Sequence, residues 1–175
     1  MTRSSLTTDQ APTLHFLCGK IAAGKTTLAR HLSSAHNAVL VCEDIWLDRL
    51  YPEEITDFDR YLKYSARLKS VVGPHVEALL KHGVSVVLDY PANTVRTRAW
   101  IREIFEAAQA DHVLHFVDTP DERCLEQLAR RNQEKPEGST EISVEKFEYV
   151  TSFFVAPQEH EGFKVQVYRH GAIVD

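Results

Sequence analysis

At 175 residues the chain is long enough to bury one compact core and short for two, so a nucleotide site and a substrate site would have to share it. The composition, 43% hydrophobic and 26% charged with a formal net charge of -5, is that of an ordinary globular protein and lacks the basic excess that a polynucleotide or an anionic membrane surface attracts. Three cysteines, Cys18, Cys42 and Cys124, show no C-x-x-C spacing, which argues against a disulfide framework or zinc site and suits reduced thiols in a cytoplasmic protein.

The opening MTRSSLTTDQAPT has no apolar signal-peptide core, and no apolar run reaches bilayer-spanning length. Residues 1–12 are expected to form a disordered tail ahead of a single domain, 13–175. Five short runs then read as strands: TLHFLC (13–18), AVLVC (38–42), VSVVLD (84–89), HVLHFVD (112–118) and KVQVY (164–168). Their apolarity is continuous rather than alternating, as in strands covered on both faces of a parallel sheet.

Helical periodicity fills the intervals. It marks Thr26 to His36, Phe58 to about Lys81, Val95 to Gln109, Asp121 to about Asn132, and Val144 to Phe154. The long second helix carries a stripe of Phe58, Tyr61, Leu62, Leu68, Val72, Val76, Leu79 and Leu80, and Gly73-Pro74 is expected to kink or divide it. Strand and helix in alternation predict an α/β domain with right-handed crossovers. The polar stretch NQEKPEGSTEIS (132–143) reads equally as a binding lid or a surface loop.

GKIAAGKT, residues 19–26, matches GxxxxGK(S/T) and lies where its mechanism requires, after a buried strand and at a helix start. Glycines let the backbone curl so that successive N–H groups point at phosphate oxygens, and the helix adds free N–H groups and the positive end of its dipole. Gly19, Lys20, Ile21, Ala22, Ala23, Gly24, Lys25, Thr26 and Thr27 therefore form a candidate nucleotide site, with Lys25 charged toward the β- and γ-phosphates and the Thr26 hydroxyl toward Mg²⁺. No N-K-x-D guanine-reading sequence occurs, and the chain is small for a mechanical ATPase, which leaves a kinase favoured.

Two acidic strand ends are candidates for the rest of the site. In AVLVCEDIWLDRLYP, Asp44 would face the phosphate loop across the crevice, as a general base for an acceptor hydroxyl or simply as a helix cap; Glu43 and Asp48 are weaker rivals. In VSVVLDYPANTVRTRAW, Asp89 ends an apolar run in the manner of a Walker B acid that holds Mg²⁺ or orients the acceptor. Asn93, Arg96 and Arg98 follow, each as a substrate contact or a solvated side chain. Arg130 and Arg131, with Arg123 upstream, precede the polar stretch and could close over phosphates, or merely sit favourably at a helix C-terminus.

CGKIAAGKTTLA, the acid of CEDIWL, VVLDYPANTVRTRAW and DERCLEQLARRN, in that order, resemble the P-loop kinase group of zeta-toxin-like proteins, chloramphenicol phosphotransferase and polynucleotide 5'-hydroxyl kinases. The resemblance runs from about Leu14 to Asn132. It implies a P-loop NTPase three-layer sandwich around a five-stranded parallel sheet of order 2-3-1-4-5, ATP with Mg²⁺, and a hydroxyl acceptor. It also implies Asp44 as general base, Lys25 as phosphate lysine, Thr26 as magnesium-binding hydroxyl, and Arg130 or Arg131 as the arginine of a lid at about 130–143. Polynucleotide-end kinases often have an arginine three residues after the acid, where this chain has Leu47. The expectation is thus an ATP-dependent kinase for a small-molecule hydroxyl, with a polynucleotide or nucleoside kinase and a non-catalytic nucleotide-sensing module as alternatives.

Overall fold

A computed structural model describes residues 11–137, 139, 141–169 and 171–174, so the expected tail lies outside it except for Ala11 and Pro12. Strands β1 (Thr13–Cys18), β2 (Val39–Cys42), β3 (Val86–Pro91), β4 (Asp111–Val117) and β5 (Val165–Arg169) pair in parallel in the order β2-β3-β1-β4-β5. The expected order is extended by one strand: β6 (Ala172–Val174) turns back at Gly171 and pairs antiparallel to β5, making six strands. β6 is three residues long and exposed throughout, so it gives no signal of burial that a sequence pattern could carry.

Helices cover both faces. α2 (Glu43–Leu50), α3 (Phe58–Lys81) and α4 (Val95–Ala108) cover one, enclosing Leu14, Phe16, Leu88, Tyr90 and Leu114 with Leu68, Val72, Val76 and Ile101. α1 (Lys25–Ala35) covers the other, on Leu17 and Val87, while α5 (Asp121–Glu134) and α6 (Val144–Thr151) pack Cys124, Leu128 and Phe147 against Val117 and Ala23. No helix among the described residues is long and apolar enough to cross a membrane.

α3 runs through Pro74 as one helix, so of the expected kink or division the division does not occur, and Leu62, expected on the buried stripe, is exposed, while Tyr64 and Ser65 turn inward instead. An interior proline costs a helix roughly 3 kcal/mol. Burial of Leu68, Val72, Val76 and Leu80 on the sheet offsets that cost, and Gly73 lets the helix lie against the Trp100 indole, whose Nε1 would be 3.3 Å from an added Cβ. Asp57 caps the start by accepting from the Arg60 amide at 2.8 Å.

Arg98, a candidate for solvent or substrate, is instead fully buried. Its guanidinium grips Glu161 with two bonds of 2.7 and 2.8 Å and donates to the carbonyls of Ala92 and Val155 at 2.9 Å each. This fork ties the segment after α6 to the β3–α4 turn, and removing one partner of such a pair costs about 3–5 kcal/mol.

On the α1 face two strand positions hold histidines. His15 Nδ1 lies 3.0 Å from His115 Nε2, His115 Nδ1 lies 2.9 Å from the Tyr168 hydroxyl, and His36 stacks on His15 at 4.5 Å. Burial, then the neighbouring imidazole, pushes His15 down to about 4 and His115 down to about 3. Both are therefore neutral when folded and ordinary when unfolded, so the unfolded chain binds more protons below about pH 6.5. Their contribution is complete above that pH and is lost as pH falls toward 4. We predict that the thermal midpoint drops between pH 7 and pH 5, and that His115→Gln flattens this slope, as scanning calorimetry across that range would read; equal slopes would remove the pair from the pH dependence.

Candidate active site

β1 ends at Cys18 and the chain enters a tight curl. Gly19 is required by close approach: a Cβ there would stand 2.8 Å from the Val117 carbonyl oxygen. Ala22 and Gly24 adopt left-handed conformations with φ 57 and 103, turning the chain back before α1. The curl is braced from outside: the Gly19 amide donates to Asn93 Oδ1 at 2.9 Å, the Thr119 hydroxyl donates to the Ala23 carbonyl at 3.1 Å, and Lys20 pairs with Asp121. α1 begins at Lys25 without a side-chain cap, so its first amides remain available to an anion.

Lys25 folds over this curl, donating to the carbonyls of Gly19 and Lys20 at 2.7 Å each. Burial pulls its ammonium below the usual lysine range, and the charges of Asp89 and Asp44 oppose that shift. Lysine and both acids thus share one crevice at the carboxyl ends of β1, β2 and β3, where open parallel sheets bind ligands. Thr26 is partly buried beside it and Thr27 is exposed.

β2 ends at Cys42, where the apolar run ends, and Glu43 and Asp44 form the first turn of α2. Asp44 is open to solvent yet ringed by protein. Those surroundings, with Glu43 and Asp89, push its carboxyl up to about 6 against the opposing pull of Arg131 and Lys25. Asp89 is buried, pairs in register with Cys42, and accepts the Cys42 thiol at 3.4 Å. Burial and Asp89 push that thiol up to about 12, so it stays a proton donor. All three cysteines are free and buried.

Among the arginines, Arg131 reaches the electrostatic surroundings of Asp44, whereas Arg130 is exposed and lies 3.9 Å from Glu134 on its own helix. α5 continues to Glu134, so both arginines are helical, and the loop proper starts at Lys135. Asn132 closes its base with reciprocal bonds to Ile142 of 2.8 and 3.2 Å, and Glu137 reaches Arg49 of α2 at 2.6 Å. Positions 138 and 140 of the expected lid lie outside the described residues. Asn93 is engaged by the phosphate curl, while Arg96, Arg123 and Asp48 are exposed.

Glu43, read from the sequence with Asp48 as a weaker rival of Asp44, has the most enclosed carboxylate of the group. It is fully buried and accepts from Ser65 Oγ at 2.5 Å and from the Tyr61 hydroxyl at 3.0 Å. Only the i, i+4 spacing of Tyr61 and Ser65 on α3 could have hinted at it.

A glycine-curled phosphate loop with its lysine, facing acids at or just beyond two neighbouring strand ends, defines a protein of the P-loop NTPase fold. More particularly, the chain belongs to the AAA domain family, whose model matches residues 14–157. A candidate kinase from Chloroflexus aurantiacus shares the fold, with TM-score 0.74 and 17% identity over 90% of this chain and 88% of that one. So does Chaetomium thermophilum Kti12, solved with ADP-AlF3, at TM-score 0.65 and 16% identity over 89% of each chain. The Mycobacterium tuberculosis APS kinase CysC, solved with AMPPNP and APS, follows at TM-score 0.56 and 18% identity over 85% of each. A comparison with curated protein sequences gives no match.

Nucleotide triphosphate should take over the two carbonyl contacts of Lys25. We predict that Lys25→Ala weakens Mg·ATP binding by roughly 10- to 100-fold, the worth of a charged hydrogen-bonding group, with no loss of fold. Calorimetric titration of both proteins measures this, and equal affinities would make the loop purely structural.

Proposed function

We propose that this protein is an ATP-dependent kinase that transfers the γ-phosphoryl group to a hydroxyl of a small molecule. The observation that carries the reading is Asp44, an acid in the first turn of α2 whose carboxyl is pushed up to about 6 in the same crevice as Lys25. The phosphate curl fits a triphosphate: Gly19 leaves no room for a side chain, and a buried ammonium stands on carbonyls that phosphate oxygens can replace. Thr26 and Asp89 would hold Mg²⁺, which supplies charge neutralisation at the β- and γ-phosphates when bound.

In this reading the acceptor oxygen attacks the γ-phosphorus in line, its proton passes to the Asp44 carboxylate, and the bond from phosphorus to the β–γ bridging oxygen breaks, leaving ADP. Lys25 and Arg131 offset the charge that develops on the transferring group. Residues 13–175 act as one domain with the lid at about 130–143, and the exposed Arg49–Glu137 pair that now tethers it is weak enough to release, at about 1 kcal/mol or less. Leu47, three residues after Asp44, is 2% exposed in the core, so α2 offers no arginine there for a polynucleotide phosphate. Buried free thiols suit the cytoplasm, where the proposal places the protein.

The test is ADP formation from Mg·ATP with and without pools of hydroxyl compounds, nucleosides and 5'-hydroxyl oligonucleotides. Acceptor-dependent turnover with small alcohols is expected; turnover only with oligonucleotides or nucleosides, or nucleotide binding without turnover, would select the corresponding alternative. Asp44→Asn should lower single-turnover transfer by about 10²- to 10⁴-fold with ATP affinity unchanged, and the wild-type rate should rise with pH through about 6 as Asp44 loses its proton.

A further inference from the structure

Glu43 is a carboxylate with no exposed surface, and no ion pair among the described residues includes it. Burying a carboxylate is expensive unless hydrogen bonds replace its water. Here the replacement comes wholly from α3, through Tyr61 at 3.0 Å and Ser65 at 2.5 Å. These donors are four residues apart and so project from one helical face. Their rows are themselves fixed: Ser65 is buried, and the Tyr61 ring stacks with Phe58 at 6.0 Å.

α2 has no side-chain cap, because its N-cap position is Cys42. An acid at a helix start usually bonds an amide of its own first turn, whereas Glu43 reaches sideways to another helix. The anchor of the first turn of α2 is therefore external. We propose that Glu43, held by Tyr61 and Ser65, is the positioning residue of the active site: it fixes the first turn of α2 and with it the place from which Asp44 meets the acceptor.

This rests on the kinase reading for its purpose but not for its geometry. Four charged groups act on the Asp44 carboxyl: Glu43 beside it, Asp89 on β3, Lys25 on α1 and Arg131 on α5. Glu43 is the one that is covalently adjacent and buried, so it acts on both the place and the charge of its neighbour. A residue that served packing alone would be replaced by an apolar side chain of similar volume without loss of rate.

The experiment compares wild type with Glu43→Gln, which keeps the acceptor oxygen for Tyr61 and Ser65, with Glu43→Leu, which keeps the volume alone, and with Tyr61→Phe, the mildest loosening of the anchor. Mg·ATP hydrolysis, with water as acceptor, is measured at saturating ATP alongside the KM for ATP. Calorimetry gives the fraction of each preparation competent to bind ATP. Glu43→Leu should lower kcat per competent site by about tenfold or more at unchanged KM, with Glu43→Gln recovering part of the loss and Tyr61→Phe falling between it and wild type. Rates within twofold of wild type for Glu43→Leu would overturn the proposal. If wild type turns over no ATP with water or with any of the pooled acceptors, the kinase reading falls by itself. The backbone order parameters of residues 44–47, read by NMR without nucleotide, still decide the positioning role. A fall in Tyr61→Phe and Glu43→Leu supports it, and unchanged values overturn it.

Discussion

Everything at the site depends on where one buried ammonium finds oxygen. Lys25 cannot stay charged inside the crevice without partners, and the curl from Gly19 to Gly24 supplies them as two backbone carbonyls at 2.7 Å. That curl exists only because Gly19 tolerates the Val117 carbonyl and Gly24 a left-handed backbone. Asn93 and Thr119 brace it from the strands on either side of β1. The lysine in turn moderates the repulsion between Asp44 and Asp89, so loop, strand ends and α2 form a single electrostatic unit.

The architecture was legible wherever burial leaves a period in the sequence. Continuous apolar runs marked all five parallel strands, and the long helix showed itself through Leu68, Val72, Val76 and Leu80. The pattern failed where burial is partial or where a partner far along the chain decides. α2 is eight residues long with only Glu43 and Leu47 buried, too short for a period to show. β6 buries nothing. Gly73-Pro74 looked like a break because local propensity favours one, but the Trp100 surface that accepts the glycine lies on α4.

For the site, the phosphate loop was legible because its mechanism fixes residue type and spacing together. Side-chain roles set by long-range contacts were not. Arg98 and Arg96 looked alike in sequence, yet the first is locked to Glu161 and the second is exposed. Arg130 and Arg131 were inseparable until α5 turned only the latter toward Asp44. Glu43 was read as secondary because its partners, Tyr61 and Ser65, belong to another helix.

The most direct test of the account is a structure with Mg²⁺ and a non-hydrolysable ATP analogue. It predicts that Lys25 Nζ leaves the carbonyls of Gly19 and Lys20 for the β- and γ-phosphate oxygens, and that the γ-phosphorus faces the Asp44 carboxylate across a space open to an acceptor. A nucleotide bound away from the curl, or a γ-phosphate turned from Asp44 with Lys25 still on its carbonyls, would contradict it.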